Sequence, residues 1–127
     1  MTKIPKSFEA VLRLQGPKRF EHFVKVVADR EQAWGLFQDG WALAADDEGF
    51  SVFPLWPAAE YAELCARDEW RNYAPKPVSV EVLMGELLPR LEREKVLPGV
   101  FYTPENKGVT IRSEELAAAL EAELSKY

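Results

Sequence analysis

The dipeptide Asp39-Gly40 constrains this chain more than any other feature. It sits between Trp34-Gly35-Leu36-Phe37-Gln38 and Trp41-Ala42-Leu43-Ala44. A two-residue type I′ turn needs positive φ at both central positions, and Asp-Gly supplies it. That turn predicts a hairpin in which Gln38 faces Trp41, Phe37 faces Ala42 and Leu36 faces Leu43. Trp34, Leu36, Trp41 and Leu43 then share one face, while Gly35, Phe37, Ala42 and Ala44 share the other. Both faces are apolar, so the hairpin must be covered on both sides.

The flanking sequence supplies the cover. A short helix is expected over Ser7–Leu14, ended by Gly16. Pro17 suits the first turn of a second helix, where Phe20, Phe23, Val24 and Val27 form one stripe. After the hairpin, the turn Asp46-Asp47-Glu48-Gly49 leads to a strand over Phe50–Leu55, which Pro54 marks as ending or as an edge. Pro57 opens a third helix, with Tyr61, Leu64 and Cys65 on one face. Pro75 and Pro77 keep the next stretch extended. Ser79 caps the longest helix, whose stripe is Val80, Leu83, Met84, Leu87, Leu88 and Leu91. Pro89 falls inside that stripe and is expected to kink the helix near Gly85 while the leucines stay buried. Val100–Thr103 and Val109–Arg112 read as a second hairpin. Ser113 caps a last helix carrying Leu116, Leu120 and Leu124 inward. The order predicts an α+β class: a single domain over residues 1–127, with an antiparallel sheet built from two hairpins plus an extra strand, packed with about five helices.

A chain of 127 residues, 47% hydrophobic and 29% charged, can close a core without metal or disulfides. Cys65 is the one cysteine, so no internal disulfide forms. The N-terminal residues lack the apolar core of a signal peptide, and no apolar run approaches the ~20 residues of a membrane span. A cytoplasmic location without membrane association is the expectation. The net charge is −5. Lys3, Lys6, Arg13, Lys18, Arg19, Lys25 and Arg30 oppose only Glu9, Glu21 and Asp29 in the first thirty residues, so the acids concentrate in the rest. An acidic body disfavours nucleic-acid binding. A single-strand binder would need exposed aromatics beside the basic N-terminal helices.

The string resembles a known family. Arg19-Phe20-Glu21-His22-Phe23, Trp34-Gly35-Leu36-Phe37 and Gly40-Trp41-Ala42-Leu43 are similar to a bacterial domain-of-unknown-function family, number 2750. So are Phe53-Pro54-Leu55-Trp56-Pro57 with Glu60-Tyr61-Ala62, Leu87-Leu88-Pro89, and Val100-Phe101-Tyr102-Thr103-Pro104. The resemblance spans roughly residues 17–112. It implies a small bacterial cytoplasmic protein and supplies no activity, cofactor or catalytic residue.

No residue set carries a recognisable chemistry. His22, the one histidine, points off its helix stripe and is read as solvated. Cys65 lies on an apolar helix face, so it is read as core rather than nucleophile. One Cys and one His do not make a structural zinc site. Asp46, Asp47 and Glu48 lack the alternating ligand spacing of a calcium loop. Phosphate-binding glycine loops and nucleophile elbows are absent. No catalytic residue, metal or cofactor is therefore assigned.

The tryptophans stand out. Trp34 and Trp41 are expected in the core with Leu36 and Leu43. Trp56, set between prolines, and Trp70, between Glu69 and Arg71, are expected at a partly open surface. Trp56, Trp70, Tyr61 and Arg71 are thus the candidate interaction surface. The leading expectation is a non-enzymatic interaction module (adaptor, regulator or immunity-type protein) that binds a protein partner or itself. The alternative is a small enzyme using carboxylates such as Asp39, Asp46 or Glu48 in a cleft.

Overall fold

The computed structural model describes residues 6–127. Helix α1 (Lys6–Leu12) turns into α2 (Gly16–Arg30). Gly16 begins α2 rather than ending α1, and Pro17 sits in its first turn, where its missing N–H costs nothing. The expected stripe faces inward: Phe23, Val24 and Val27 are buried, and Phe20 packs at the edge of the core. Glu31, in a left-handed conformation, ends α2 and sends the chain into β1 (Gln32–Phe37).

The expected first hairpin is reduced to a turn closed by a single bridge, one residue out of the expected register, and no strand forms over Trp41–Leu43. Phe37 pairs with Trp41, and Gln38-Asp39-Gly40 make a three-residue loop closed by Gln38 N–H to the Gly40 carbonyl (2.9 Å) and Ala42 N–H to the Leu36 carbonyl (2.8 Å). Asp39 alone in that loop has positive φ (56°). A one-residue slip moves side chains to the opposite face, and here Trp41 moves to the face of Gly35 and Phe37. A Cβ on Gly35 would lie 2.8 Å from the Trp41 ring, so the indole needs this glycine. Phe37 and Phe53 pack against Trp41 at 5.3 and 5.4 Å, and the Lys76 ammonium lies 4.0 Å over Phe37. This cluster selects the register. Leu43, expected in the core, is instead 50% exposed.

The chain then leaves β1. Strand β2 (Ala44–Ala45) pairs antiparallel with β3 (Ser51–Leu55) through the Asp46–Gly49 turn. Helix α3 (Ala59–Leu64), a 3₁₀ turn (Asp68–Trp70) and β4 (Ala74–Ser79) follow. Pro57 precedes α3 without opening it; Ala58 is the cap. Strand β4 pairs antiparallel with β1, placing Pro77 opposite Trp34 and Pro75 opposite Leu36. Lys76 and Val78 fill the ladder positions, so both prolines aim their missing donors outward. That blunts the edge against a further strand.

The long helix begins at Ser79, whose hydroxyl accepts the Val82 N–H (3.2 Å). It runs as α4 (Val80–Val82), a π turn (Leu83–Leu87) and α5 (Leu88–Glu94). Pro89 cannot donate to the Gly85 carbonyl, and the interruption takes the form of the π turn spanning Gly85, with Leu88 N–H donating to the Leu83 carbonyl. The wider turn brings both Leu87 and Leu88 inward with Leu83 and Leu91.

Strand β5 (Leu97–Val100) pairs antiparallel with β6 (Val109–Thr110), and α6 (Ser113–Leu124) closes the fold with Leu116 and Leu120 buried. Arg112, not Ser113, is the cap of α6; the buried Ser113 hydroxyl has no hydrogen-bond partner. The class is α+β, with strands arranged differently from a purely antiparallel sheet. One sheet pairs β1 with β4; the other has the order β2-β3-β5-β6, in which β3 and β5 run parallel. Trp34 and Trp56 exchange backbone hydrogen bonds (2.8 Å each) and join the two sheets. Along that edge of β3, Val52 pairs with β2 and Trp56 with Trp34. Pro54, between them, faces a gap where no donor is needed, so it sits inside the strand.

Arg19 fastens the helical layer to this sheet. It is 96% buried, and its guanidinium donates to the carbonyls of Leu14 (2.9 Å) and Lys107 (3.1 Å). Among the described residues no carboxylate pairs with it, and burial lowers its pKa from the ordinary value. No helix among the described residues is long and apolar enough to cross a membrane.

Candidate functional site

The segment Val100-Phe101-Tyr102-Thr103-Pro104 builds one wall of a groove. Phe101 continues the parallel pairing by donating its N–H to the Leu55 carbonyl (2.8 Å). Its φ is +66°, a left-handed conformation unusual for a bulky side chain. Such strain costs of order 1–3 kcal/mol and persists only where surrounding contacts enforce it. Here the ring is fully buried, 4.8 Å from Tyr61. The turn brings the Tyr102 carbonyl to the Trp56 Nε1–H (2.8 Å) and the Cys65 thiol (3.5 Å). The Tyr102 ring lies back over two glycines. A Cβ at Gly99 would stand 2.8 Å from it and one at Gly108 2.6 Å. Thr103 and Asn106 close the following turn, the Thr103 Oγ1 accepting the Asn106 N–H (2.9 Å).

The opposite wall is the turn after α3. Asp68, also left-handed (φ 54°), starts the 3₁₀ turn that ends in Trp70. Trp70 meets Trp56 and Tyr102 edge-on, each at 6.2 Å. Arg67 reaches across to the Pro104 carbonyl (2.9 Å) and ties the two walls together. Between them lies an open groove of about 270 Å³, with Trp70 and Tyr102 half-buried in its lining and Asp68 and Glu69 on its rim. Neither acid forms an ion pair among the described residues.

The four residues expected to form an interaction surface therefore separate. Trp56 has 0% exposure and Tyr61 is buried, so neither touches a partner in the folded chain. Trp70 remains partly open, and Arg71 is exposed beside it. Prolines around Trp56 suggested exposure, but its indole donor finds a buried carbonyl 46 residues away. Tyr102 and Arg67 were missed; only their place in the family-like Val100–Pro104 run and beside Cys65 hinted at them.

The remaining candidates are accounted for structurally. His22 is half-buried rather than solvated, 6.1 Å from Phe101; burial, then Arg30 and Lys25, lower its pKa. Asp46 uses Oδ1 to accept the N–H groups of Glu48 (3.0 Å) and Phe50 (2.8 Å), so it holds its turn together. Asp47 pairs with Lys107 (2.7 Å) in solvent. Asp39 stands exposed at the hairpin loop. None of Asp39, Asp46 and Glu48 lines a described groove. No group of three or more potential metal ligands occurs among the described residues.

Cys65 is buried, and burial pushes its thiol up to about 11. A buried neutral thiol is a poor nucleophile. Native Cys65 is expected to react with a thiol reagent at pH 8 at least ~100-fold more slowly than in denaturant. Because its folded pKa is raised, its contribution to stability is full below the unfolded pKa and falls as pH rises towards 11. Rapid native labelling would contradict the core assignment.

Searches of curated proteins and of solved structures found no match to the chain. A family model does match, over residues 20–120. The match takes in the aromatic cluster on Gly35, both walls of the groove, the π turn and the start of α6 through Leu120. The chain belongs to the family described as protein of unknown function (DUF2750).

Proposed function

We propose that this chain is a non-enzymatic protein-interaction module of the bacterial cytoplasm, acting through the surface around Trp70. One observation carries the reading. Trp70 is braced edge-on by buried Trp56 and by Tyr102, yet part of its indole stays open at a groove. Aromatic side chains held rigid at a partly wet surface make strong contacts because little rotamer entropy is lost on binding. Arg71, exposed beside it, adds a second residue type favoured in binding hot spots. The buried, reduced Cys65 fits a reducing compartment.

The test compares Trp70→Ala and Arg71→Ala with the parent chain. Trp70→Ala is expected to weaken capture of a partner from native cells by ~30-fold or more, the size of a hot-spot loss, while leaving a cooperative thermal melt. Light scattering on the parent separates self-association from a foreign partner: a dimer that Trp70→Ala dissociates identifies the partner as a second copy. Unchanged capture and unchanged oligomeric state in both variants would sink the proposal.

A further inference from the structure

We infer that the cavity at the start of α6 binds a small uncharged molecule that carries a carbonyl oxygen on an apolar body. This site is independent of the Trp70 groove and shares no lining residue with it. It lies where the residue before β3, the link from α5 to β5 and the first turn of α6 meet. Its volume is about 330 Å³, within the range of small-ligand pockets.

The floor of the cavity carries the inference. Ser113 is the one buried residue of the lining, and its hydroxyl has no hydrogen-bond partner. A buried polar group without a partner costs free energy, so its presence calls for a reason. The backbone beside it is in the same condition. Arg112 gives α6 no side-chain cap, and the N–H groups of Ser113 and Glu114 donate to no acceptor among the described residues. A helix N-terminus leaves such donors free. A carbonyl oxygen accepts from donors of this kind, and a serine hydroxyl reaches it by turning among its χ1 rotamers.

The rest of the lining sets the body and the charge of the ligand. Phe50, Val96 and Leu97 supply an apolar wall, and the Phe50 ring is 50% exposed. At the mouth, Lys95 and Arg112 are offset by Glu92 and Glu114. The Arg112 guanidinium is already held by Glu114 (3.1 Å) and Glu115 (2.6 Å). Balanced charge gives an ion of either sign no net attraction, and moving an ion out of water against an apolar wall is costly. An uncharged head avoids that cost while still using the free donors.

The experiment titrates the full ¹⁵N-labelled chain with hexanamide, hexanoate and acetamide, and follows the backbone N–H resonances of Ser113 and Glu114. Hexanamide is expected to shift both saturably. Hexanoate adds a charge and acetamide lacks the body, so each is expected to bind at least ~10-fold more weakly. Ser113→Ala is expected to melt no lower than the parent, because the hydroxyl it removes makes no bond in the free chain. The same variant is expected to bind hexanamide roughly 10-fold more weakly. Phe50→Ala, at a half-exposed position, is expected to fold and to weaken hexanamide as well. No saturable shift up to the solubility limit of hexanamide overturns the inference, as does equal binding of hexanoate or acetamide. Full binding by Ser113→Ala overturns it too. So does a Ser113→Ala chain that melts below the parent, since the hydroxyl would then already be bonded in solution.

Discussion

Trp56→Ala is expected to lose roughly 3–5 kcal/mol of folding stability, enough to unfold a marginal domain. Trp56 is fully buried and is the largest side chain in the core. Its ring touches Trp70 edge-on, so truncation opens a cavity beneath the groove. It also removes the Nε1–H that the Tyr102 carbonyl accepts at 2.8 Å, leaving the weaker Cys65 thiol contact at 3.5 Å. The backbone exchange with Trp34 survives, because it involves no side-chain atom. Trp56→Phe keeps most of the volume and loses the donor, so it is expected to cost less than the alanine variant. Urea denaturation of both variants measures the two contributions. A Trp56→Ala chain within about 1 kcal/mol of the parent would show that this site collapses without penalty.

Gly99→Ala is expected to destabilise by about 1–3 kcal/mol, although it adds a single methyl group. Gly99 lies in β5 between the Val52 side chain and the Tyr102 ring. A Cβ there meets a methyl of buried Val52 short of contact distance and a Tyr102 carbon at 2.8 Å. Val52 is held by pairing on both sides, with Ala44 and with Leu97, so it has little freedom to retreat. Tyr102, half-exposed, is the neighbour that can move. The variant is therefore expected to lift the Tyr102 ring from its seat and widen the groove. Gly40→Ala is the control: a Cβ there meets nothing within 4 Å, so its cost is limited to the loop backbone. The check is a pair of melts with the intrinsic fluorescence maximum, which reports the change around Trp70. Equal stabilities for the two variants would mean that the packing around Gly99 is looser than its contacts imply.

Much of the helical architecture was legible because helical signals are local. The Phe20/Phe23/Val24/Val27 stripe and the Leu83/Leu87/Leu88/Leu91 stripe each lie within a few turns, and both face the core. Ser79 could be read as a cap because its partner is the Val82 N–H three residues on. Ser113 looked equivalent, but the chain enters α6 with Arg112 at the cap position and buries the serine. Pro89 announced an interruption, while its form as a π turn depended on which leucines the core would take.

The groove was less legible, because its parts come together over long separations. Arg67 meets Pro104, Trp56 meets Tyr102, and the parallel β3–β5 pair joins Val52 to Leu97. Local periodicity marks Val52 as a strand residue without naming its neighbour and starts the later strand at Val100, three residues past Leu97, so a hairpin with Val109–Arg112 was the nearest available pairing. The first hairpin shows the same limit at shorter range. Asp39-Gly40 announced a turn, and two apolar faces announced burial on both sides. Which face each residue took was a question of one residue of register. Trp41 settled it by packing on Gly35 between Phe37 and Phe53. Phe53 lies outside the hairpin, so no pattern within the hairpin contained the answer. Element type follows from hydrophobic spacing along the chain, whereas register, strand partners and the exposure of each tryptophan follow from packing between segments that meet only in the fold.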